Sequence, residues 1–197
     1  MMKLKDEIAF ELIQSIQKSG SEILIPNFYF GHYEFDVFRM LDNGNIYEYE
    51  IKTSRADFKN DFTKKRKVIS DGNIIEVGKH EEIKFGKYSA NKFFFVVPEG
   101  LIAPEEVPGK LGLIYFHKER FTMHPEKYLI RFEMVKAPKF INKEKIEIDH
   151  IGLLRKMAFR EMNLRMKIYE ITKQKTYKYQ YTKSITKIGL FIEFSES

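Results

Sequence analysis

The chain contains no cysteine, which removes disulfide bridges, thiolate zinc sites, iron–sulfur clusters and a cysteine nucleophile together. Any metal must then sit on carboxylates or histidines. The five histidines, His32, His80, His117, His124 and His150, have no metal-ligand spacing, so a zinc site is not expected. Long apolar runs are missing too: no stretch reaches the roughly 18 uncharged apolar residues that a membrane span needs. The first residues, Met1-Met2-Lys3-Leu4-Lys5-Asp6-Glu7, turn acidic before any apolar run begins, so no leader is read there. The sequence therefore reads as cytoplasmic, with no membrane partner. It has neither an internal repeat nor a low-complexity linker.

What is present is the material of a folded domain. The 197 residues are 43% hydrophobic and include 18 Phe and 11 Tyr, too apolar and aromatic for a disordered chain. The length allows one real core and does not require a second. A formal charge of +6 suits a polyanionic partner, since lysine and arginine release counterions from phosphates. It suits equally a chain that uses lysine as a soluble helix former.

Apolar residues at helical spacing, Ile8, Leu12 and Ile16 with Phe10 and Ile13, predict a first helix over 4–18, stopped by Ser19-Gly20. Ile23 to Phe30 reads as a strand, with Pro26 marking an edge or a bulge. Tyr33–Leu41 and Ile46–Thr53 flank Asp42-Asn43-Gly44-Asn45, a hairpin signal. Ser54 with Asp57 three residues on forms a capping box, predicting a second helix to about Ile69. Asp71-Gly72-Asn73 breaks the pattern, and 74–90 reads as a variable loop or insertion. Lys92–Val97 is a buried strand closed by Pro98-Glu99-Gly100, and Leu111–His117 another. Asp149 can cap a long amphipathic helix carrying Ile151, Leu154, Met157, Ala158 and Met162. Alternation at Tyr177, Tyr179 and Tyr181, then from Ile188 to Phe194, predicts a closing hairpin.

The chemistry centres on Glu50-Ile51-Lys52. Alternation along a strand puts the carboxylate and the amine on one face, about 7 Å apart at their Cα atoms. Acid-x-Lys triplets also occur at Glu82-Ile83-Lys84 and Asp57-Phe58-Lys59, so the triplet alone is weak. Register distinguishes Glu50. A three-residue loop with Gly44 left-handed pairs Leu41 with Asn45, hence Asp36 with Glu50, and sets Glu34 opposite Lys52. A two-residue turn at Asn43-Gly44 would instead send Asp36 to the other face. Paired carboxylates repel unless a cation relieves them. A hard Mg²⁺ or Mn²⁺ on two carboxylates can polarise a phosphodiester and acidify an attacking water, while Lys52 orients that water or stabilises the developing charge.

Asp36, the run Glu50-Ile51-Lys52-Thr53-Ser54-Arg55-Ala56-Asp57-Phe58, and Lys92-Phe93-Phe94-Phe95-Val96-Val97-Pro98 resemble the MmcB-like DNA repair nucleases and related phage proteins of the PD-(D/E)XK superfamily, over about Leu4 to Phe116. The resemblance implies an α/β, restriction-endonuclease-like core of order αβββαβ, with a mixed central sheet flanked by helices. It also implies a metal on Asp36 and Glu50, catalysis by Asp36, Glu50 and Lys52, and an acid of the first helix, Glu11, near the metal. Glu34, Ser54 and Asp57 are accessory candidates, although a simple helix cap accounts for Ser54 and Asp57, and a solvated helix carboxylate for Glu11. The implied activity is a Mg²⁺- or Mn²⁺-dependent endonuclease acting on duplex or branched DNA in repair, recombination or phage DNA processing. A binding module of the same fold that does not cut is the alternative, and a homodimer is left open. Lys64, Lys65, Arg66 and Lys67, toward the end of the second helix, can contact phosphates or simply form a helix end in solvent. The lysine–tyrosine stretch 175–187 suits base stacking, but more often such tyrosines form one buried strand face. The expected division is a core over 1–135 and, over 136–197, a C-terminal helix and hairpin extension packed on it.

Overall fold

A computed structural model describes residues 3–17, 22–70, 72–120, 128–144 and 149–187. It divides into two compact units, Met1–Ile146 and Glu147–Ser197. The division falls later than 135/136 because the segment after the last strand is tied into the first unit. Lys139 N–H donates to Lys110 O and Ile141 N–H to Asn91 O, both at 2.9 Å, and the Asn91 amide reaches Asn142 Oδ1 at 2.9 Å.

The first unit is a mixed α/β fold. Its elements are α1 (Leu4–Ile16), β1 (Ile23–Phe30), β2 (Tyr33–Met40), β3 (Ile46–Ile51), α2 (Arg55–Asp61), β4 (Lys65–Ser70), β5 (Asn73–Gly78), α3 (Lys79–Lys84), β6 (Lys92–Pro98), β7 (Gly112–Arg120) and β8 (Tyr128–Lys136). Six strands form one sheet in the order β1-β2-β3-β6-β7-β8, and β4-β5 form a separate ribbon. Strands β3, β6 and β7 run parallel, and the outer pairings are antiparallel. A parallel pair needs a crossover. The crossover from β3 to β6 carries α2, the ribbon and α3.

Alternation sorts the side chains of the sheet to two faces. On one, Ile8, Ala9 and Leu12 of α1 pack on Val37, Tyr49, Ile51, Phe94, Val96, Ile114 and Phe116. On the other, the ring of Phe95 meets Phe58 of α2 at 5.0 Å and Phe93 at 4.9 Å. Glu48 and Glu50 of β3 point to this second, aromatic face, among residues that would ordinarily exclude charge.

The hairpin between β2 and β3 sets their register. Gly44 is left-handed, φ +80°, Gly44 N–H donates to Leu41 O at 2.8 Å, and Leu41 N–H to Asn45 O at 2.9 Å. Pairing then runs Met40 with Ile46 through to Val37 with Tyr49. Of the two registers open in the sequence, this is the one whose next step sets Asp36 beside Glu50.

Three expectations are corrected. Helix α2 ends at Asp61, not near Ile69. Lys65–Ser70 pairs with Asn73–Gly78, because the β-branched Val68 and Ile69 pair with Ile75 and Ile74 and Gly72 takes the left-handed φ of +78° that favours hairpins over helices. The segment 74–90 is likewise a strand and a short helix rather than a loop. In the second unit, α4 (His150–Lys187) is capped by Asp149, whose Oδ1 accepts Gly152 N–H at 2.8 Å, as expected. It continues through Tyr177, Tyr179 and Tyr181, so the first arm of the expected closing hairpin is helix; Ile188–Phe194 lies outside the described residues. Strand β8 was not anticipated. No helix among the described residues is long and apolar enough to cross a membrane.

Gly44 gives a direct test of the register. A Cβ there meets nothing within 4 Å, so substitution costs only the left-handed backbone. Gly44→Ala is expected to lower stability in urea titrations by about 1 kcal/mol, and Gly44→Asn by less, because asparagine tolerates this conformation. Equal losses would show that the loop is not held left-handed.

Candidate active site

The β2–β3 ladder stops at Val37 and Tyr49, and the strand pleat changes there. Val37 belongs to the cluster with α1, yet Phe35, two residues earlier, stacks on Tyr88 and meets Phe38 on the opposite face. Facing this switch in β1, Asn27 takes a positive φ of 47°. Asp36 sits at the switch, and its carboxylate does the work of a ladder acceptor: Oδ2 takes Ile51 N–H at 2.8 Å. Its Oδ1 takes the ammonium of Lys5, from the start of α1, at 2.8 Å. Burial, then the negative charge of Glu50, raises the Asp36 pKa above its usual range, against Lys5 and the Ile51 amide.

Glu50 is buried and surrounded by ammonium groups. Its Oε1 takes Lys52 Nζ and Lys64 Nζ, each at 2.8 Å, and its Oε2 takes Lys79 Nζ at 3.1 Å. Burial alone would raise this carboxyl, but Lys79, Lys52 and Lys64 outweigh it, and the pKa falls to about 2. Lys52 lies at the very end of β3, where its N–H still pairs with Val96 O of β6 at 3.0 Å. Burial opposes its charge; Glu50 and Asp61 more than restore it, so its pKa is raised.

Helix α2 starts at the end of this strand because Ser54 caps it, its Oγ accepting Asp57 N–H at 3.1 Å. Four residues apart, Asp57 and Asp61 share a helix face, and both reach Lys52 Nζ, at 3.5 and 3.1 Å. Asp61 is wholly buried. Its Oδ1 meets Lys64 Nζ at 2.7 Å, and its Oδ2 lies 2.7 Å from His80 Nε2. Burial would raise its pKa, but the His80 bond and the three lysines lower it well below the carboxylate range. Lys79 opens α3 and bridges Glu50 to Glu48 Oε1 at 2.9 Å, with the Phe93 ring 4.8 Å from its nitrogen. Tyr88 donates to Glu48 Oε2 at 2.6 Å. Glu48, with no water access, is raised by burial to about 8 despite Lys79.

Of the residues proposed from sequence, Glu50, Lys52, Asp57 and Lys64 join in one ion cluster at the end of β3, Asp36 bonds the neighbouring Ile51 amide and feels the charge of Glu50, and Ser54 caps α2. Glu34 joins none of them: it pairs with Tyr29 of β1 and is exposed, because the β2–β3 ladder ends before reaching it. From α1 the side chain bound to Asp36 is Lys5, while Glu11 lies about 9 Å further along the helix axis and is partly exposed. The basic run is divided rather than a helix end. Lys64 enters the cluster, Lys65 pairs with Glu76 at 3.6 Å, Arg66 pairs with Glu82, and Lys67 is exposed on β4. Sequence reading missed Lys5, Glu48, Asp61, Lys79, His80 and Tyr88. Two had a signal: Glu48 alternates with Glu50, and Asp61 repeats Asp57 at helical spacing.

Hard carboxylate oxygens of this kind fit Mg²⁺ or Mn²⁺. Among the described residues no three His, Asp or Glu side chains converge closely enough to hold an ion by themselves, and ammonium groups stand beside the acids instead.

No protein-family model and no curated protein matches the chain. Among solved structures it is similar to the SPO1766 protein of unknown function from Silicibacter pomeroyi, at 16% identity and a TM-score of 0.43, over 79% of this chain and 81% of that one. That similarity assigns no activity.

The lowered pKa of Glu50 fixes a sign. Its stabilising effect is present above about 4.5, the ordinary value, and is lost as pH falls toward about 2. Urea titrations between those limits are expected to show wild type losing on the order of 3 kcal/mol more than Glu50→Gln. Parallel pH curves for the two proteins would mean that the lysines do not hold Glu50 ionised.

Proposed function

We propose that this chain is a divalent-metal-dependent nuclease that hydrolyses phosphodiester bonds in DNA. The observation that carries the reading is that Asp36, one residue beyond the last rung of the hairpin ladder, bonds the amide next to Glu50 and feels the Glu50 charge, with Lys52 Nζ 2.8 Å from Glu50. Asp36 and Glu50 would hold the ion, and Mg²⁺ or Mn²⁺, when bound, supplies a Lewis acid and a water of lowered pKa.

The chain's own groups take defined parts. Asp36 is fixed by the Ile51 amide, so one of its oxygens is already oriented by backbone. Lys52 keeps its proton because Glu50 and Asp61 raise its pKa. It therefore acts as a fixed positive charge toward phosphoryl oxygens, not as a base. Glu50 stays ionised at any working pH, a requirement for a hard-metal ligand. The positive formal charge of +6 supports a polyanionic substrate.

One feature favours a second reading, a nucleic-acid-binding module that does not cut. Both oxygens of Glu50 already carry ammonium partners, which is how a pocket emptied of metal chemistry would stay neutral.

Incubation with duplex and branched DNA in Mn²⁺ separates the two. Cleavage by wild type, reduced at least about 100-fold in Glu50→Gln and in Lys52→Ala, is the expected result. DNA binding at low salt without cleavage would favour the module, and absence of binding would end both.

A further inference from the structure

Three ammonium groups hold Glu50 and Asp61, and they are not equivalent. The side chains of Lys52 and Lys79 are 2% and 0% exposed. Each has another acid besides: Asp57 for Lys52 and Glu48 for Lys79. Lys79 is also set among the rings of Phe93, Tyr33 and Tyr88. Lys79 cannot leave without unpacking the aromatic face of the sheet, and Lys52 is held at depth by three acids. The side chain of Lys64 is 41% exposed, and its nitrogen bridges Glu50 Oε1 at 2.8 Å and Asp61 Oδ1 at 2.7 Å.

The backbone of Lys64 is anchored while its side chain reaches solvent. Its carbonyl accepts Lys79 N–H at 2.9 Å, which closes the base of the β4–β5 ribbon. A lysine stem has four carbons and ends in a compact charge with three donors. It can exchange a carboxylate for a phosphate oxygen by rotating its stem, with its backbone in place.

Resting on the nuclease reading above, we propose that Lys64 is the residue that exchanges these acids for a substrate phosphate, and that by doing so it couples nucleic-acid binding to cation binding at Glu50. In the free protein its ammonium neutralises two buried oxygens. A phosphodiester at the mouth of the site competes for that ammonium, and charge-assisted bonds to phosphate are strong ones. Once Lys64 turns to the phosphate, Glu50 and Asp61 lack one positive charge in a place of low polarity. That deficit favours a divalent cation. Coupling of this kind is reciprocal: DNA strengthens cation binding by the factor by which the cation strengthens DNA binding.

The coupling also accounts for one of the three ammonium groups at these buried acids being open to solvent. The removable ammonium stands in for the cation until the substrate arrives. Lys65 and Arg66, which follow immediately, are already bound to Glu76 and Glu82, so of this basic run it is Lys64 that joins the surface to the acids.

Calorimetric titration of DNA-free protein with Mn²⁺ tests the proposal, using wild type, Lys64→Met and the double variant Lys64→Met/Glu50→Gln. Lys64→Met is expected to bind Mn²⁺ at least about tenfold more tightly than wild type, and the double variant to lose that gain. In parallel, fluorescence anisotropy with a non-hydrolysable phosphorothioate duplex is expected to show Mn²⁺ tightening DNA binding by wild type at least about tenfold, and by Lys64→Met clearly less. If wild type and Lys64→Met bind Mn²⁺ equally, the exchange is overturned while the metal-dependent reading stands. If neither binds Mn²⁺, the metal-dependent reading falls and the exchange with it. The wild-type anisotropy needs no variant, so it decides the matter even if Lys64→Met folds poorly: DNA affinity unchanged by Mn²⁺ overturns the coupling.

Discussion

The ionised carboxylate of Glu50, shut away from water on the aromatic face of a sheet, is the constraint around which the first unit is organised. An isolated buried anion is prohibitively costly, and it persists only when opposite charge and hydrogen bonds compensate for lost hydration. Here the compensation comes from three places in the chain. Lys52 arrives on the end of the same strand, Lys64 after α2, and Lys79 at the start of α3. All three lie in or beside the crossover that joins β3 to its parallel neighbour β6. The connection that parallel pairing requires is therefore also the one that delivers the balancing charge, and docking the crossover and ionising Glu50 support each other.

The two acids at the end of the hairpin are placed in different electrostatic states by this arrangement. Asp36 has one ammonium and one backbone amide, is pushed upward by burial, and feels Glu50 as a repelling neighbour. Glu50 is held low by its lysines. Environments that drive neighbouring carboxyls apart allow like residues to take unlike roles. The difference traces to the pleat change in β2, which takes Asp36 out of regular alternation and leaves its carboxylate to cap the free Ile51 amide, while Glu50 continues regularly onto the aromatic face.

The hairpin was legible because its signals are local. Asn43-Gly44 allowed two registers, one of which set Asp36 beside Glu50, and Ser54 with Asp57 marked the start of α2. The basic run was harder. Lys64-Lys65-Arg66-Lys67 prolongs a helical pattern, and the competing preference of Val68, Ile69, Ile74 and Ile75 for a ribbon emerges only once Asp71-Gly72 is read as a hairpin link instead of a break. Lys79 and Asp61 were hidden for another reason. A buried ion pair leaves no periodic trace, since each partner looks like an ordinary surface residue until the crossover folds over the sheet. Glu34 failed in the opposite sense: register counting placed it correctly along the strand, but the ladder ended three residues earlier.

Stability and reactivity make opposite demands on such a cluster. A protein that must fold without an ion needs its acids neutralised by groups of its own, and one that must later bind an ion needs some of that charge to be removable. Lysine meets both demands better than arginine would, because a guanidinium forms a planar, paired fork with a carboxylate, whereas an ammonium is a compact charge on a flexible stem. Depth then divides the labour. Lys52 and Lys79, buried and bound to further acids, are fixed parts of the scaffold, and Lys64, at the mouth, carries the charge that can be given up. On the proposed reading, the distance between a working nuclease and an inert binding fold is set less by the presence of Asp36 and Glu50 than by how readily this one ammonium leaves them.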